Sequence, residues 1–461
     1  MSSDLLGRLP SVKDLLESQP LKFVAEHLTQ NAVVDGIRSF FDHLRSQVQA
    51  AANDLEVPGP DDLARQIAQW ILAEDYSRLR PLINASGVLL AGQLGRSPLA
   101  KEAIDEIRHT AEGYCSFDFD VASGQSAAPA SAVAPLLTQL TGAEGALVVN
   151  SHAGAALLAL ASLAAGREVV VSRGELVEIG SDYRLPQIFE MSRAMPREVG
   201  SANASRIGDF AASLQSPPAA MLRIDPSSYA AVGTERPPLS DLVALARQSG
   251  IPLIDDIGFG SVIDVSPFGL TGFPSAAASI RAGADLVILS GDALLGGPQC
   301  GVIVGRKALI EKLTQHPLIG PLRASKLTLA ALAATLRLAR DPDDAKRQIP
   351  LLTLLTTSLE NLRNRAERLA PQIAAAPGIA SAEAVAGDAW LESKVAPGHR
   401  LATWLIAVTP KEGTADELAK RLRGGQIRVI ARTDDRLWLD LRTVFPRQDV
   451  DLVSAFEQLS Q

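Results

Sequence analysis

Residues 286–305, LVILSGDALLGGPQCGVIVG, have the layout of a loop that presents one reactive side chain. An apolar run typical of a buried strand ends in the polar residues 290–292, and a pair of glycines follows shortly afterwards. The residue at the tip of the loop is Ala293, whose methyl group can neither act as a nucleophile nor carry a proton. This pattern suggests a fold built around a reactive residue that the chain itself lacks.

A second candidate site lies where the apolar run ALVVN meets the helix that follows it, at Ser151 and His152. Free N–H groups at a helix start attract anions, so these two residues could hold a phosphate. The alternative is an ordinary strand–loop–helix corner, in which the polar residue at the helix start serves only as a cap. The segment alone supports either interpretation.

Three charged residues could complete such a site. Asp256 ends the apolar run LIDD, where a carboxylate can keep a ring nitrogen protonated, as pyridoxal phosphate enzymes require, or can cap a helix or face solvent. Arg96 and Arg323 each stand just ahead of a predicted helix, where an arginine can clamp an anion or form an ordinary surface ion pair. The six histidines show no metal-ligand spacing, so no metal site is expected.

The elements that must position these residues alternate between strands and helices. From about residue 80 to 345, short runs of branched apolar residues alternate with helical stretches rich in alanine and leucine. The predicted strands are GALVVN, REVVVS, AAMLRID, IPLIDDIG, ADLVILSG and CGVIVG. This alternation predicts a mostly parallel α/β sheet, with ligands bound outside the carboxyl ends of its strands.

Different patterns flank this region. Residues 1–60 have helical periodicity with a predicted N-cap at Ser11, and a further helix is predicted to begin at Asp61. Beyond residue 345, a long helix, three predicted strands and one shorter helix indicate a small α+β unit. We therefore predict three domains: a helical N-terminal domain over 1–75, a large α/β domain over 76–345 and a small C-terminal domain over 346–461.

Composition restricts the classes of function. The chain has 461 residues, a net charge of −8, 47% apolar residues and 21% charged residues, as in ordinary soluble globular proteins. The negative charge argues against non-specific binding to nucleic acids, and the longest apolar stretch, residues 153–166, is too short to span a bilayer. Two cysteines and no secretory signal pattern predict a cytoplasmic protein without membrane contacts.

An aspartate-aminotransferase-like fold has three cofactor-binding parts in a fixed chain order: a phosphate cup, an aspartate for the ring nitrogen and a Schiff-base lysine. This chain has the candidate anion site, Asp256 and the loop SGDALLGG in the same order. Along nearly its whole length the chain resembles bacterial selenocysteine synthases, the L-seryl-tRNA(Sec) selenium transferases. The likeness is carried by long segments such as INASGVLLAGQLGRSPL, LIDDIGFGSVIDVSPFGL and HPLIGPLRASKLTLAAL. It implies a fold type I pyridoxal phosphate domain, a tRNA-binding N-terminal domain, and a dimer or ring of dimers.

The resemblance also implies an activity and roles for the candidate residues. In the family, pyridoxal phosphate serves to dehydrate serine on its tRNA, and selenium is then added from selenophosphate. The implied cofactor contacts are Ser151, His152, Asp256 and Ser290, and the implied anion or substrate arginines are Arg96 and Arg323.

The sequence departs from the family pattern at residues that would bind the cofactor, the anionic substrates and the tRNA. The pattern S-G-D-K-L-L-G-G-P has a lysine where this chain has Ala293, so covalent attachment of the cofactor is not expected at that position. Ala204 and Gly320 stand where the family has arginines. Residues 1–60 contain five basic and eight acidic side chains, a balance that disfavours binding to tRNA phosphates.

Two hypotheses follow. The first is a non-catalytic relative of selenocysteine synthase that keeps the fold and the homo-oligomer, and that binds another partner or forms mixed assemblies with a true synthase. The second is an enzyme that binds pyridoxal phosphate without a covalent link, with selenium transfer itself as a further alternative.

Overall fold

The computed structural model describes residues 10–50, 59–75, 79–126, 132–179, 183–225, 235–392 and 399–460. The chain divides into two compact units, Met1–Leu82 and Ile83–Gln461. No helix within the described ranges is both long and apolar enough to cross a membrane.

The first unit is helical, as the periodicity of its sequence predicts. Its described helices are α1 (Val12–Leu16), α2 (Gln19–His27), α3 (Gln30–Ala50) and α4 (Pro60–Asp75). The predicted cap at Ser11 is confirmed, because its hydroxyl accepts a hydrogen bond of 3.2 Å from the Asp14 backbone N–H. Gly36 allows α3 to approach α4 closely: a Cβ atom there would lie 2.4 Å from Cγ1 of Ile71.

The second unit contains a sheet of seven strands in the order β4-β12-β11-β10-β9-β5-β8. The strands are β4 (Gly145–Val149), β5 (Glu168–Ser172), β8 (Met195–Val199), β9 (Ala220–Ile224), β10 (Leu253–Gly258), β11 (Leu286–Ser290) and β12 (Gly301–Gly305). All neighbouring pairs are parallel except the two that involve β12. The predicted mostly parallel α/β sheet is therefore confirmed.

Helices cover both faces of this sheet, which is why the central strands are buried along their whole length. The helices of this part of the chain are α5 (Lys101–Ala111), α6 (Ala134–Thr141), α7 (His152–Ala164), α8 (Leu185–Ser192), α9 (Ile207–Ser213), α10 (Leu239–Gln248), α11 (Ala276–Ala282), α12 (Lys307–Thr314), α13 (Lys326–Leu338), α14 (Pro342–Gln348) and α15 (Pro350–Thr356). Leu158 of α7 and Phe189 of α8 pack on one face of the sheet. Leu137 of α6 and Leu332 of α13 pack on the other.

Two short hairpins accompany the large sheet. They pair β2 (Phe119–Asp120) with β3 (Gln125–Ser126) and β6 (Glu178–Ile179) with β7 (Tyr183–Arg184). The second hairpin leads directly into α8 and so fixes the position of Tyr183.

A second sheet has the order β1-β15-β16-β14-β13 and carries three helices. Its elements are β1 (Ile83–Ala85), α16 (Leu359–Ala374), β13 (Ile379–Trp390), β14 (Arg400–Pro410), α17 (Ala415–Gly424), β15 (Val429–Thr433), β16 (Leu437–Asp440) and α18 (Asp449–Glu457). The strand β1, which precedes the large sheet in the chain, pairs with β15 of this C-terminal sheet. The separation of large and small domains at residue 345 remains a prediction.

A buried ion pair ties the helices of the C-terminal sheet together. Arg365 of α16 and Asp449 of α18 are only 8% and 6% exposed. The guanidinium donates to both carboxylate oxygens of Asp449, over 2.6 and 3.2 Å, and also to the backbone carbonyls of Leu441 and Val444. The pair therefore joins α16 to the start of α18 and to the loop before it.

Replacing Asp449 with alanine should lower the free energy of unfolding by ~3–5 kcal/mol, because it leaves a buried guanidinium without its counter-charge. Asp451→Ala is the matched control, since Asp451 is an exposed carboxylate in the same helical turn, and its effect should stay within about 0.5 kcal/mol. Denaturant unfolding followed by tryptophan fluorescence measures both. A similar decrease in the free energy of unfolding in the two variants would contradict the stabilising role of the Arg365–Asp449 pair.

Candidate functional site

The candidate residues predicted from sequence meet at one edge of the large sheet. The strands β4, β10 and β11 run in the same direction, so their carboxyl ends reach the same edge. Ser151 and His152 follow β4, Asp256 lies near the end of β10, and Ser290 and Ala293 lie at and just after the end of β11. We call this group of residues the strand-end site.

The carboxylate of Asp256 is the hydrogen-bonding centre of the strand-end site. Its Oδ1 lies 2.7 Å from Nε2 of His152 and accepts a hydrogen bond of 2.9 Å from the Gly258 N–H. Its Oδ2 accepts a hydrogen bond of 2.8 Å from the hydroxyl of Tyr183. The carboxylate is only 1% exposed, and these donors replace the water that a buried charge loses.

Tyr183 is a residue of this site that the sequence did not single out. Its ring stacks on the imidazole of His152, with 4.7 Å between the centroids and 11° between the planes. Burial, together with the nearby Asp256 carboxylate, raises the pKa of Tyr183 well above its usual value. The hydroxyl is therefore a neutral donor at physiological pH. No periodicity or motif marks this tyrosine, because it lies in a strand of two residues.

Ser151 is confirmed as a helix cap. Its hydroxyl accepts a hydrogen bond of 3.1 Å from the Gly154 N–H at the start of α7. The corner is closely packed, since a Cβ atom at Gly301 would lie 2.2 Å from the carbonyl oxygen of Ser151. This geometry is that of the strand–loop–helix corner, and phosphate binding by Ser151 and His152 stays a prediction.

The loop at Ala293 is closed by polar contacts from this chain. Ala293 is 0% exposed, and its carbonyl accepts a hydrogen bond of 3.2 Å from the Ser97 hydroxyl. Asp292 accepts a hydrogen bond of 2.6 Å from Ser290 and pairs with Arg96 over 3.2 Å, on the same Oδ1 atom. The guanidinium of Arg96 also lies 5.0 Å from the centroid of the Phe259 ring. Ser290 and Arg96 are thus both engaged with Asp292.

Arg323 lies beside the end of β4 and is also paired. Its backbone forms a bridge with Val149, and its guanidinium pairs with Asp118. The same guanidinium lies 4.2 Å from the centroid of the Phe117 ring. The structure therefore shows both predicted anion-binding arginines in ion pairs with carboxylates of the chain itself. The Arg323 pair lies at the surface, which is the alternative that the sequence left open, whereas the side chains of the Arg96 pair are only 22% and 9% exposed.

Two further buried carboxyl groups, those of Glu175 and Glu392, have raised pKa values. Burial raises the pKa of Glu175, whose carboxylate accepts from the Ile224 N–H over 2.9 Å, to about 7. Burial likewise raises the pKa of Glu392 to about 7, although the nearby Arg96 opposes this shift. Sequence reasoning missed Glu392 because it follows β13, an alanine-rich strand that no β-propensity signal marks.

Metal chemistry finds no support in the described ranges. No group of three or more histidine, cysteine, aspartate or glutamate side chains there could hold a metal ion. The side chains of Ser151, His152, Asp256 and Ser290 each have a hydrogen-bond partner within the chain.

The fold is that of an α/β protein of the aspartate-aminotransferase type. The solved structure of D-glucosaminate-6-phosphate ammonia-lyase is similar to this chain, with a TM-score of 0.60 and 20% identity, over 83% of this chain and 96% of that one. A family model described as SelA, L-seryl-tRNA selenium transferase, matches residues 82–445. The chain belongs to this family.

Its relatives match along the whole chain. The L-seryl-tRNA(Sec) selenium transferase of Moorella thermoacetica is 40% identical, over 99% of this chain and 97% of its own length. The enzyme of the same name from Geobacter sulfurreducens is 37% identical, over 99% of each chain. The sequence-based assignment to the family is confirmed.

The residues of the strand-end site do not fit pyridoxal phosphate, the cofactor that the family resemblance implies. Ala293 offers no amine for a Schiff base. Asp256, the residue expected to hold the ring nitrogen, already accepts hydrogen bonds on both oxygens from His152, Tyr183 and Gly258.

The two cysteines test whether the loop at Ala293 is closed. Cys300 is buried beside it, and a Cβ atom at Gly291 would lie 2.4 Å from the Cys300 Sγ atom, whereas Cys115 is exposed. Burial raises the pKa of the Cys300 thiol, so both access and thiolate formation are suppressed.

In the native protein, Ellman's reagent should therefore modify Cys115 quickly and Cys300 at least ~100-fold more slowly, while both should react in denaturant. A Cys115→Ser variant should show almost no native reaction. Fast native modification of that variant would show that the loop at Ala293 is open.

Proposed function

We propose that this chain is a selenocysteine synthase-like protein without the selenium transferase activity of its family. One observation carries the proposal: the loop after β11 presents the buried methyl group of Ala293 where the family pattern has a lysine. A lysine at that place supplies the amine that binds the cofactor and moves the substrate proton. Alanine can do neither.

Nearby lysines do not replace it. Lys307 is exposed and pairs with Glu311 on the surface of α12. Lys326, at the start of α13, donates to the backbone carbonyls of Thr110 and Gly113. Both amines lie on elements other than the loop after β11 and have partners there, which supports the loss of the covalent step.

The charges of the site also support the proposal. A selenium transferase must bind tRNA and a selenium donor that is itself an anion, and arginine is the side chain best suited to both. Arg96 and Arg323 are each neutralised by an aspartate of this chain. Family arginine positions at 204 and 320 are occupied by alanine and glycine. An anion bound by either arginine would leave the paired aspartate without its counter-charge.

In this proposal the site residues have a structural function. His152, Tyr183 and Asp256 hold the carboxyl ends of the strands and the hairpin before α8 together through one buried network. The protein would act through its surface, as a cytoplasmic homo-oligomer, a dimer or ring of dimers, or in mixed assemblies with an active synthase. Given the acidic balance of residues 1–60, it would bind tRNA weakly and would not associate with membranes.

The alternative function is the family activity itself, or another reaction of a non-covalently held pyridoxal phosphate. The 40% identity to a selenium transferase along the whole chain favours it, as does the retention of Asp256 at the end of β10. This alternative requires a base other than a lysine at position 293, and His152 is the group closest to Asp256 that could serve.

The two functions differ in a direct assay. Purified protein is incubated with seryl-tRNA(Sec), selenophosphate and pyridoxal phosphate, and the Moorella thermoacetica relative is the positive control. We expect selenocysteinyl-tRNA formation at least ~100-fold slower than with the relative, because the proton-transferring amine is missing. A rate within about tenfold of the relative would overturn the proposal and support the alternative.

A further inference from the structure

The oxygens of Asp256 differ in how fully they are used. A carboxylate offers about four acceptor positions, two on each oxygen. Oδ1 takes hydrogen bonds from both His152 and Gly258, and Oδ2 takes one from Tyr183. Any protonated nitrogen from outside would therefore have to approach Oδ2, where the tyrosine hydroxyl already takes one of the two acceptor positions.

The stacked rings of His152 and Tyr183 leave little room for a ligand to approach Oδ2. Their centroids are 4.7 Å apart and their planes are nearly parallel. A third ring inserted between them would need a separation of about 7 Å, twice the carbon–carbon contact distance. The rings thus exclude a planar ligand from the space between them, while their polar edges occupy the carboxylate.

Tyr183 is also firmly held. It is 4% exposed and belongs to the same buried cluster as Leu185, Ile188 and Phe189 of α8. Its backbone is paired in the hairpin of β6 and β7, two residues before α8 begins to turn. A side chain fixed on both sides cannot easily swing away to admit a ligand.

We propose that Tyr183 is an internal plug: its hydroxyl takes the position on Asp256 that a protonated aromatic nitrogen, such as the pyridinium of a pyridoxal compound, would otherwise occupy. The inference rests on the proposed function and deepens it, because it names a second obstacle that is independent of Ala293. The strand-end site is then closed to the ring of the cofactor as well as to its covalent attachment.

The test uses Tyr183→Phe, which removes the hydroxyl and keeps the ring. Tyr114→Phe is the matched control, because Tyr114 is fully exposed. The probe is pyridoxine 5′-phosphate, which has no aldehyde and so forms no Schiff base with surface lysines. A second probe is the analogue in which carbon replaces the ring nitrogen. Isothermal titration calorimetry measures the binding of each probe to the full-length protein.

We expect pyridoxine 5′-phosphate to bind Tyr183→Phe at least about tenfold more tightly than it binds the wild type or Tyr114→Phe, since a charge-assisted hydrogen bond to Oδ2 becomes available. The carbon analogue should lose this gain. The thermal midpoint of Tyr183→Phe should be lower than that of the wild type and should recover on addition of pyridoxine 5′-phosphate.

Two results would overturn the plug. One is equal affinity of the wild type and a folded Tyr183→Phe, whether both bind or neither does. The other is an equal gain with the carbon analogue, which would show that the ring nitrogen plays no part. If Tyr183→Phe does not fold, Tyr183→Leu provides the same test, because it also removes the hydroxyl from Oδ2 and keeps an apolar side chain in the buried cluster. Failure of the plug leaves the proposed function standing, since the selenium-transfer assay of the wild type decides that separately.

Discussion

The buried carboxylate of Asp256 is the constraint on which the strand-end site depends. A charge that is 1% exposed costs several kcal/mol unless hydrogen bonds replace its water, so donors must surround it. Here the donors come from the start of α7, from the hairpin before α8 and from the last residue of β10. Three separate parts of the fold are therefore fixed relative to one another by one side chain.

Other aspartates near this edge of the sheet also pair with side chains of the chain itself. Asp292 binds Ser290 and Arg96, and Asp118 binds Arg323. Deeper in the sheet, Arg223 lies between Asp225 and Asp255, at 2.8 and 2.5 Å. An active site usually keeps some polar groups poised for a substrate. At this edge Arg96 and Arg323 are instead paired with the chain's own aspartates, and Ala293 carries a methyl group where we propose that the family has an amine.

The sequence predicted the framework of the site better than its connections. Strands such as β10 and β11 are recognisable because buried parallel strands need continuous branched apolar runs. β8 and β13 escaped because the first carries proline, arginine and glutamate at a sheet edge and the second is rich in alanine. Tyr183 and Glu392 could not be assigned, since their roles arise from tertiary contacts. The pairing of Arg96 and Arg323 was likewise open, because a sequence shows a charge but not its partner.

We propose that this chain has no amine at the place where its family attaches the cofactor. The most direct measurement is borohydride trapping with pyridoxal phosphate, followed by peptide mass spectrometry, on the wild type and on the double variant Ala293→Lys, Tyr183→Phe. We expect no lysine of the wild type to be labelled at a stoichiometry approaching one per chain, and we expect labelling at position 293 in the double variant. A single wild-type lysine trapped at nearly one label per chain would contradict it.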